Sequence, residues 1–168
     1  MRSTRVERVV EDDWATFRAV RLRSLLDAPD AYGSTYGEES SQTERGWREW
    51  AAGRWRGGAA AVFIGRDAAE RPIGTTTVAE YDAEPGTAWI YAMWVAPDAR
   101  RAGVGRDLLD AAAAWARGRG CTQLVLSVTE TNETARTFYV ACGFADTGDR
   151  TPLREGSDLR VLRMVRAP

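Results

Sequence analysis

Residues 97–120 read PDARRAGVGRDLLDAAAAWARGRG, and the opening of that stretch decides how the chain folds. Arg100, Arg101, Gly103, Gly105 and Arg106 crowd the point where an alanine-rich helix begins. Glycine weakens a helix and arginine repels the positive end of its dipole, each by up to about 1 kcal/mol. The pattern makes sense where an anion belongs at that end. Helix N-termini carry unpaired N–H groups and partial positive charge, glycines let a phosphate approach the backbone closely, and arginine adds forked donors. The plainer alternative is a tight strand-to-helix turn with solvated arginines. The anion site is favoured because the turn follows an apolar strand, feeds a helix N-terminus and brings guanidinium groups to that same end.

Outward from this turn, TAWIYAMWVAP (87–97) is apolar at nearly every position and reads as a strand covered on both faces. Strict alternation puts Trp89, Tyr91, Met93 and Val95 on one face and Ile90, Ala92 and Trp94 on the other. The helix runs over 103–118 with Val104, Leu108, Ala111, Ala112 and Trp115 on one side. TQLVLSV (122–128) is the next strand, so strand, helix and strand predict a parallel pair joined by a right-handed crossover. NETARTFYVAC (132–142) is a second helix, stopped near Gly143.

Toward the N-terminus, RVERVV (5–10) suggests a strand and EDDWATFRAVRLRSLLDAPDA (11–31) a helix, capped by Asp12 or Asp13 and ended at Pro29. YGSTYGEESSQ (32–42) reads as a loop and TERGWREWAAG (43–53) as a short helix. AAAVFIGR (59–66) and PIGTTTVAEYD (72–82) are strands, followed by a turn at 84–86; DLRVLRMV (158–165) is a last strand. No repeat or linker interrupts the chain, which reads as one domain over 1–168.

The formal net charge is -1, so no global field points to nucleic acid or an anionic membrane. All 23 basic residues are arginine. Without lysine there is no nucleoside-triphosphate loop of the G-x-x-x-x-G-K-[ST] kind, and Leu108 stands where a dinucleotide fingerprint needs its third glycine. Without histidine, His-based triads, bases and metal ligands are excluded, and no metal is expected. Cys121 and Cys142 fit buried apolar roles in a reduced, cytoplasmic setting, and no run of 18 apolar residues suggests a membrane span.

Arg100-Arg101-Ala102-Gly103-Val104-Gly105 resembles the [Q/R]-x-x-G-x-[G/A] signature of the GCN5-related N-acetyltransferases (GNAT). A second segment, NETARTFYVACGF, resembles that family's N-x-x-A-x-x-[F/Y]-Y-x-x-x-G-F at Asn132, Ala135, Phe138, Tyr139, Gly143 and Phe144. The order of elements agrees along nearly the whole chain. The resemblance implies an α/β (α+β) GNAT fold: a mixed central sheet of about seven strands with a splayed parallel pair, flanked by about four helices. It implies acetyl-CoA as acyl donor, bound between the splayed strands. Its pantetheine arm would lie along the backbone of Met93 and Val95, and its diphosphate on the N–H groups of Arg101, Ala102, Gly103, Val104, Gly105 and Arg106, with Arg100 beside them.

Asn132, Ala135 and Tyr139 share one helix face. By resemblance, Asn132 bonds the pantetheine arm and Tyr139 protonates the leaving thiolate; read alone, they are a helix cap and a core tyrosine. Many members carry a glutamate on the central strand as general base. Residues 89–95 hold no carboxylate, which leaves Glu80, Asp82 or a water chain near Tyr91 for that task. Tyr32, Tyr36, Glu38, Glu39, Trp47, Trp89 and Tyr91 are the candidates for the acceptor pocket. Aromatic faces and carboxylates suit a cationic amine.

The expected activity is acetyl transfer to a primary amine of a small molecule, by direct attack in a ternary complex. The alternatives are acetylation of a protein or peptide N-terminus or lysine, and a non-catalytic acyl-CoA sensor. A homodimer is expected because dimers are frequent in the family.

Overall fold

Antiparallel hairpins build the first half of the sheet, and a single helical crossover opens the second. The computed structural model describes residues 4–168. Its elements in chain order are β1 (Arg5–Arg8), α1 (Trp14–Asp27), α2 (Tyr36–Ser40), α3 (Glu44–Ala51), β2 (Arg54–Trp55), β3 (Gly58–Arg66), β4 (Pro72–Glu80) and β5 (Thr87–Val95). Then come α4 (Val104–Gly118), β6 (Gln123–Thr129), α5 (Glu133–Ala141), β7 (Ala145–Pro152) and β8 (Arg160–Arg166). The strands lie in the order β1-β3-β4-β5-β6-β8-β7, with β2 paired to β3. β5 and β6 are parallel and every other pair is antiparallel. This is the mixed sheet with a parallel pair that the sequence predicts.

Burial explains why the helices lie where they do. Phe17 of α1 packs edge-on against Trp47 and Trp50 of α3, with ring centroids 5.6 and 4.9 Å apart. All three side chains are essentially fully buried, each burial stabilising by about 1.5–3 kcal/mol or more. Beneath α4, Leu109, Ala112 and Ala116 meet Leu124 and Leu126 of β6. α4 comes close to the sheet over two strand glycines. A Cβ at Gly74 would stand 3.0 Å from Leu108 and one at Gly65 3.1 Å from Val104.

Several elements differ from expectation. The stretch 32–42 is not all loop: Thr35 and Glu38 form a reciprocal capping box that starts α2. Residues 145–152 form β7, a polar edge strand with no apolar alternation, so the sheet has eight strands. The long first helix is a 3-10 turn, α1 and a second 3-10 turn after Pro29.

The most consequential difference lies in β5. Its register against β4 slips between Thr75 and Thr77, and Ala92 takes the left-handed φ of 51°. Thr77 faces Tyr91 and Thr75 faces Trp94, so two residues of β5 oppose the single Thr76. This bulge swaps the faces of the strand. Tyr91 packs against Trp55, 4.7 Å between centroids, while Ile90 lies in the cluster beneath α4. Beyond the bulge the assignment reverses: Met93 packs beside Gly105 of α4, and Trp94 donates through Nε1 to Asp27 of α1 at 2.9 Å. Trp89, Tyr91, Met93 and Val95 therefore do not share one face.

Candidate functional site

β5 and β6 pair only from Thr87↔Gln123 to Trp89↔Val125, yet β5 continues to Val95 and β6 to Thr129. Past that point the strands diverge, and a cavity of about 480 Å3 opens between them. Its wall joins β5 from Trp89 to Met93, β6 from Leu126 to Thr129, one face of α5 and the segment after α1. A parallel pair that separates leaves backbone groups facing the gap. Ala96 N–H bonds Ile73 of β4, so alternation turns the N–H and C=O of Met93 and Val95 toward the opening. Both carbonyls already accept a side-chain bond: Met93 from the Tyr32 hydroxyl and Val95 from Arg100 Nε, each at 3.1 Å.

Met93, on the cavity wall, lies beside Gly105 at the start of α4, where an added Cβ would stand 3.5 Å from its terminal methyl. Gly103 precedes the helix with a left-handed φ of 87°, and Arg101 has φ 63°. A Cβ at Gly103 would meet nothing within 4 Å, whereas one at Gly105 would lie 3.0 Å from Phe138. Gly103 thus serves the turn and Gly105 the close approach of α5. No side chain caps the helix, and the first amide bonded there is Asp107 N–H to the Gly103 carbonyl. Among the described residues, the N–H groups of Arg101 to Arg106 have no acceptor, six clustered donors at a positive dipole end.

The arginines divide. Arg100 turns back to Asp27 at 2.8 Å, compensating a carboxylate at the unfavourable C-terminal end of α1. Arg106 reaches the Ala141 carbonyl at 3.4 Å. Arg101 is exposed with no bonded partner among the described residues.

The α5 side brings Asn132, Ala135 and Tyr139 together on the cavity wall, as their spacing predicts. Asn132 is also the helix cap: its Oδ1 accepts from Ala135 N–H at 3.1 Å, which leaves its amide NH2 available. Tyr139 is 8% exposed, and among the described residues no hydrogen bond holds its hydroxyl. Burial pushes its pKa well above the usual tyrosine value, so the phenol is a proton donor at neutral pH.

The far end of the cavity is built from side chains of distant segments. Trp50, Trp55, Trp89 and Tyr91 form an aromatic wall, with stacked Trp50 and Trp55 centroids 4.6 Å apart. Tyr32 lines the cavity too, and burial pushes its pKa up to about 12. Glu39 lines it as half of a buried bidentate pair, receiving Arg21 Nε and an Arg21 terminal nitrogen at 2.7 Å each. Arg21 in turn lies 4.4 Å from the Tyr32 ring centroid. Arg21, Trp50, Trp55, Arg56 and Arg154 belong to this wall without a local sequence signal to mark them.

Other expected residues lie elsewhere. Glu80 bonds Arg119 at 2.8 Å, which holds its carboxyl below the usual range, and it does not line the cavity. Asp82 is exposed in the β4–β5 turn, also away from the wall. Neither carboxylate is placed to act as base there. Tyr36 is 41% exposed outside the cavity. Glu38 caps α2 and borders an adjoining shallower pocket, and Trp47 is core. Among the described residues, no group of three or more Cys, Asp or Glu is placed to hold a metal, and no helix is long and apolar enough to cross a membrane.

Residues 8–144 match the model of the Acetyltransferase (GNAT) family. A 59-residue segment is 42% identical to aminoglycoside N(6')-acetyltransferase type 1 of Klebsiella aerogenes, covering 35% of this chain and 39% of that protein. The crystal structure of nourseothricin acetyltransferase is similar with a TM-score of 0.60 and 29% identity, over 64% of this chain and 65% of that one. The Salmonella typhimurium protein yncA, solved with its cofactor acetyl-CoA, superposes with a TM-score of 0.75 over 98% of this chain and 94% of its own, at 16% identity. The chain thus spans about two fifths of the curated relative and under two thirds of the nourseothricin enzyme.

Proposed function

Because the chain belongs to the acetyltransferase (GNAT) family, we propose that it moves an acetyl group from acetyl-CoA to a primary amine of a small molecule. The observation that carries this reading is the continuity of the splay. The splay holds Met93, Asn132 and Tyr139 on the wall of a cavity that ends in aromatic side chains, and Met93 in turn lies beside Gly105, among the six unbonded amides that open α4.

The residues fit acetyl-CoA. The amides of Arg101 to Arg106 are donors for its diphosphate, and Gly103 leaves that seat clear. The N–H groups of Met93 and Val95 and the free NH2 of Asn132 offer bonds to the amide-bearing arm, and Ala135 keeps the helix face low beside it. Acetyl-CoA supplies a thioester whose carbonyl carbon accepts the amine.

In the transfer, the acceptor nitrogen forms a bond to that carbon and the C–S bond breaks. Tyr139 gives its phenolic proton to the departing sulfur, and the nitrogen loses one proton. Glu39 cannot take that proton without unmaking its pair with Arg21, and Glu80 and Asp82 lie off the wall, which leaves solvent near Tyr91 to accept the proton and solvent to return one to the Tyr139 phenolate. Protonation by a well-placed acid contributes about 10²–10⁴-fold.

A small acceptor is favoured over a polypeptide because the acceptor end is a chamber walled by Trp50, Trp55 and Trp89. The two antibiotic-modifying relatives point the same way. A cytoplasmic location, where acetyl-CoA is available, fits this reading. Calorimetry with acetyl-CoA, followed by thiol release on adding amines, tests the proposal. Saturable binding and release with free amines are expected; no heat at millimolar acetyl-CoA would overturn it.

A further inference from the structure

The charges that face the acceptor chamber are mostly positive. Arg21, Arg56 and Arg154 line it, and Glu39 is the one carboxylate among the described lining residues. Glu39 is consumed by Arg21 in a pair whose side chains are only 8% and 4% exposed, so those two charges cancel. Arg56 and Arg154 remain.

Arg56 has no carboxylate within ion-pair distance among the described residues; it bonds the Ser34 hydroxyl at 3.2 Å and lies 4.3 Å over the Trp55 ring. Arg154 bonds the carbonyls of Tyr32 and Pro29 at 2.8 and 3.2 Å, with Asp30 no nearer than 3.9 Å. Glu38 lies within the field of both arginines, but its carboxylate is bound at 2.7 Å to the Thr35 N–H and is absent from the chamber wall.

The backbone at Arg56 gives a second, independent indication. Trp55 pairs with Gly58, so Arg56 and Gly57 are a two-residue hairpin turn with φ 49° and 77°. Both positions want left-handed backbone, and glycine or asparagine is the ordinary choice at the first. An arginine held there against its preference points to a task for the side chain. Its guanidinium, braced on Trp55, is carried to the chamber wall.

Taking the acetyl-transfer reading as its premise, the geometry points to an acceptor that carries a carboxylate beside its amine, with Arg56 and Arg154 receiving the carboxylate and the aromatic wall receiving the rest. Forked guanidinium donors match a planar carboxylate. A polycationic acceptor would meet Arg56, which has no carboxylate partner among the described residues, and Arg154, which Asp30 offsets only from 3.9 Å, and like-charge juxtaposition disfavours binding.

The test measures acetyl-CoA-dependent thiol release with the common amino acids, each against its α-carboxamide, with kanamycin as the polycation and an aminophosphonate to separate carboxylate from other oxyanions. The best acid should exceed its amide by at least about tenfold in kcat/KM. Arg56→Gly should raise KM for that acid about tenfold with kcat and acetyl-CoA affinity unchanged. Tm should hold or rise, because glycine relaxes the turn. A purely structural arginine would lower Tm and leave KM alone. The proposal is overturned if amides or kanamycin match the acids, if the phosphonate outperforms every carboxylate, if Arg56→Gly leaves KM unchanged, or if acetyl-CoA binds but no acid is acetylated. Failure of acetyl-CoA to bind at all would instead sink the parent reading, and this one with it.

Discussion

The two halves of the proposed site are made of different material. At the α4 end the donors are backbone amides of consecutive residues, held by one helix start and one left-handed glycine at φ 87°. At the acceptor end they are side chains drawn from α1, α2, α3, the turn after β2, β5 and the loop between β7 and β8. An amide donor survives most side-chain changes, so the α4 end is set by local geometry. A side-chain wall changes with each substitution, so the acceptor end is where specificity can vary on a constant frame.

That contrast can be broken first at the α4 end. Gly103→Glu should weaken acetyl-CoA by about 10³-fold in calorimetry, because added charge repels the diphosphate by several kcal/mol. The fold should persist with a lower Tm from the strained φ, since a Cβ there meets no neighbour. Retained affinity would detach the diphosphate from this turn.

Glu39→Ala probes the opposite end. It leaves Arg21 buried and unpaired, which costs about 3–5 kcal/mol in denaturant unfolding. Acceptor KM should rise while acetyl-CoA affinity changes less than about twofold, the reverse of the glycine variant.

Tyr139→Phe falls between the two ends. It should lower kcat by about 10²-fold with acetyl-CoA affinity retained. In the wild type, kcat/KM should climb with pH as the acceptor amine loses its proton. No falling limb should set in below about pH 9.5, because burial raises Tyr139 above its ordinary value near 10. A fall below pH 9 would mean that another acid works there. The smallest effect is expected from Glu80→Gln: kcat should change less than about twofold, since an exposed Arg119 pair is worth about 0–1 kcal/mol and lies away from the cavity.

The same division explains what the sequence made legible. The α4 turn and the Asn132–Tyr139 face are short-range patterns, readable from spacing and from resemblance; the structure puts Asn132, Ala135 and Tyr139 on the cavity wall and leaves the amides of the turn unbonded. The parallel pair followed from strand, helix and strand. β7 was invisible because Ala145–Pro152 is exposed along nearly its whole length and owes its conformation to pairing with β8. α2 carried a signal in Thr35-x-x-Glu38, a capping box masked by the polar composition around it. The bulge in β5 had none: Ala92 is not glycine, and only the register against β4 reveals the slip that carries Met93 and Trp94 to opposite faces from those that alternation predicts. Arg56 and Arg154 are separated by nearly a hundred residues and line one chamber only because the fold closes around it.

The most direct measurement is a crystal structure of the protein with coenzyme A. The account predicts the diphosphate within about 3 Å of amide nitrogens between Arg101 and Arg106, with the thiol directed toward the Tyr139 hydroxyl. A coenzyme bound elsewhere, with those amides facing solvent and the splay between β5 and β6 unfilled, would contradict it.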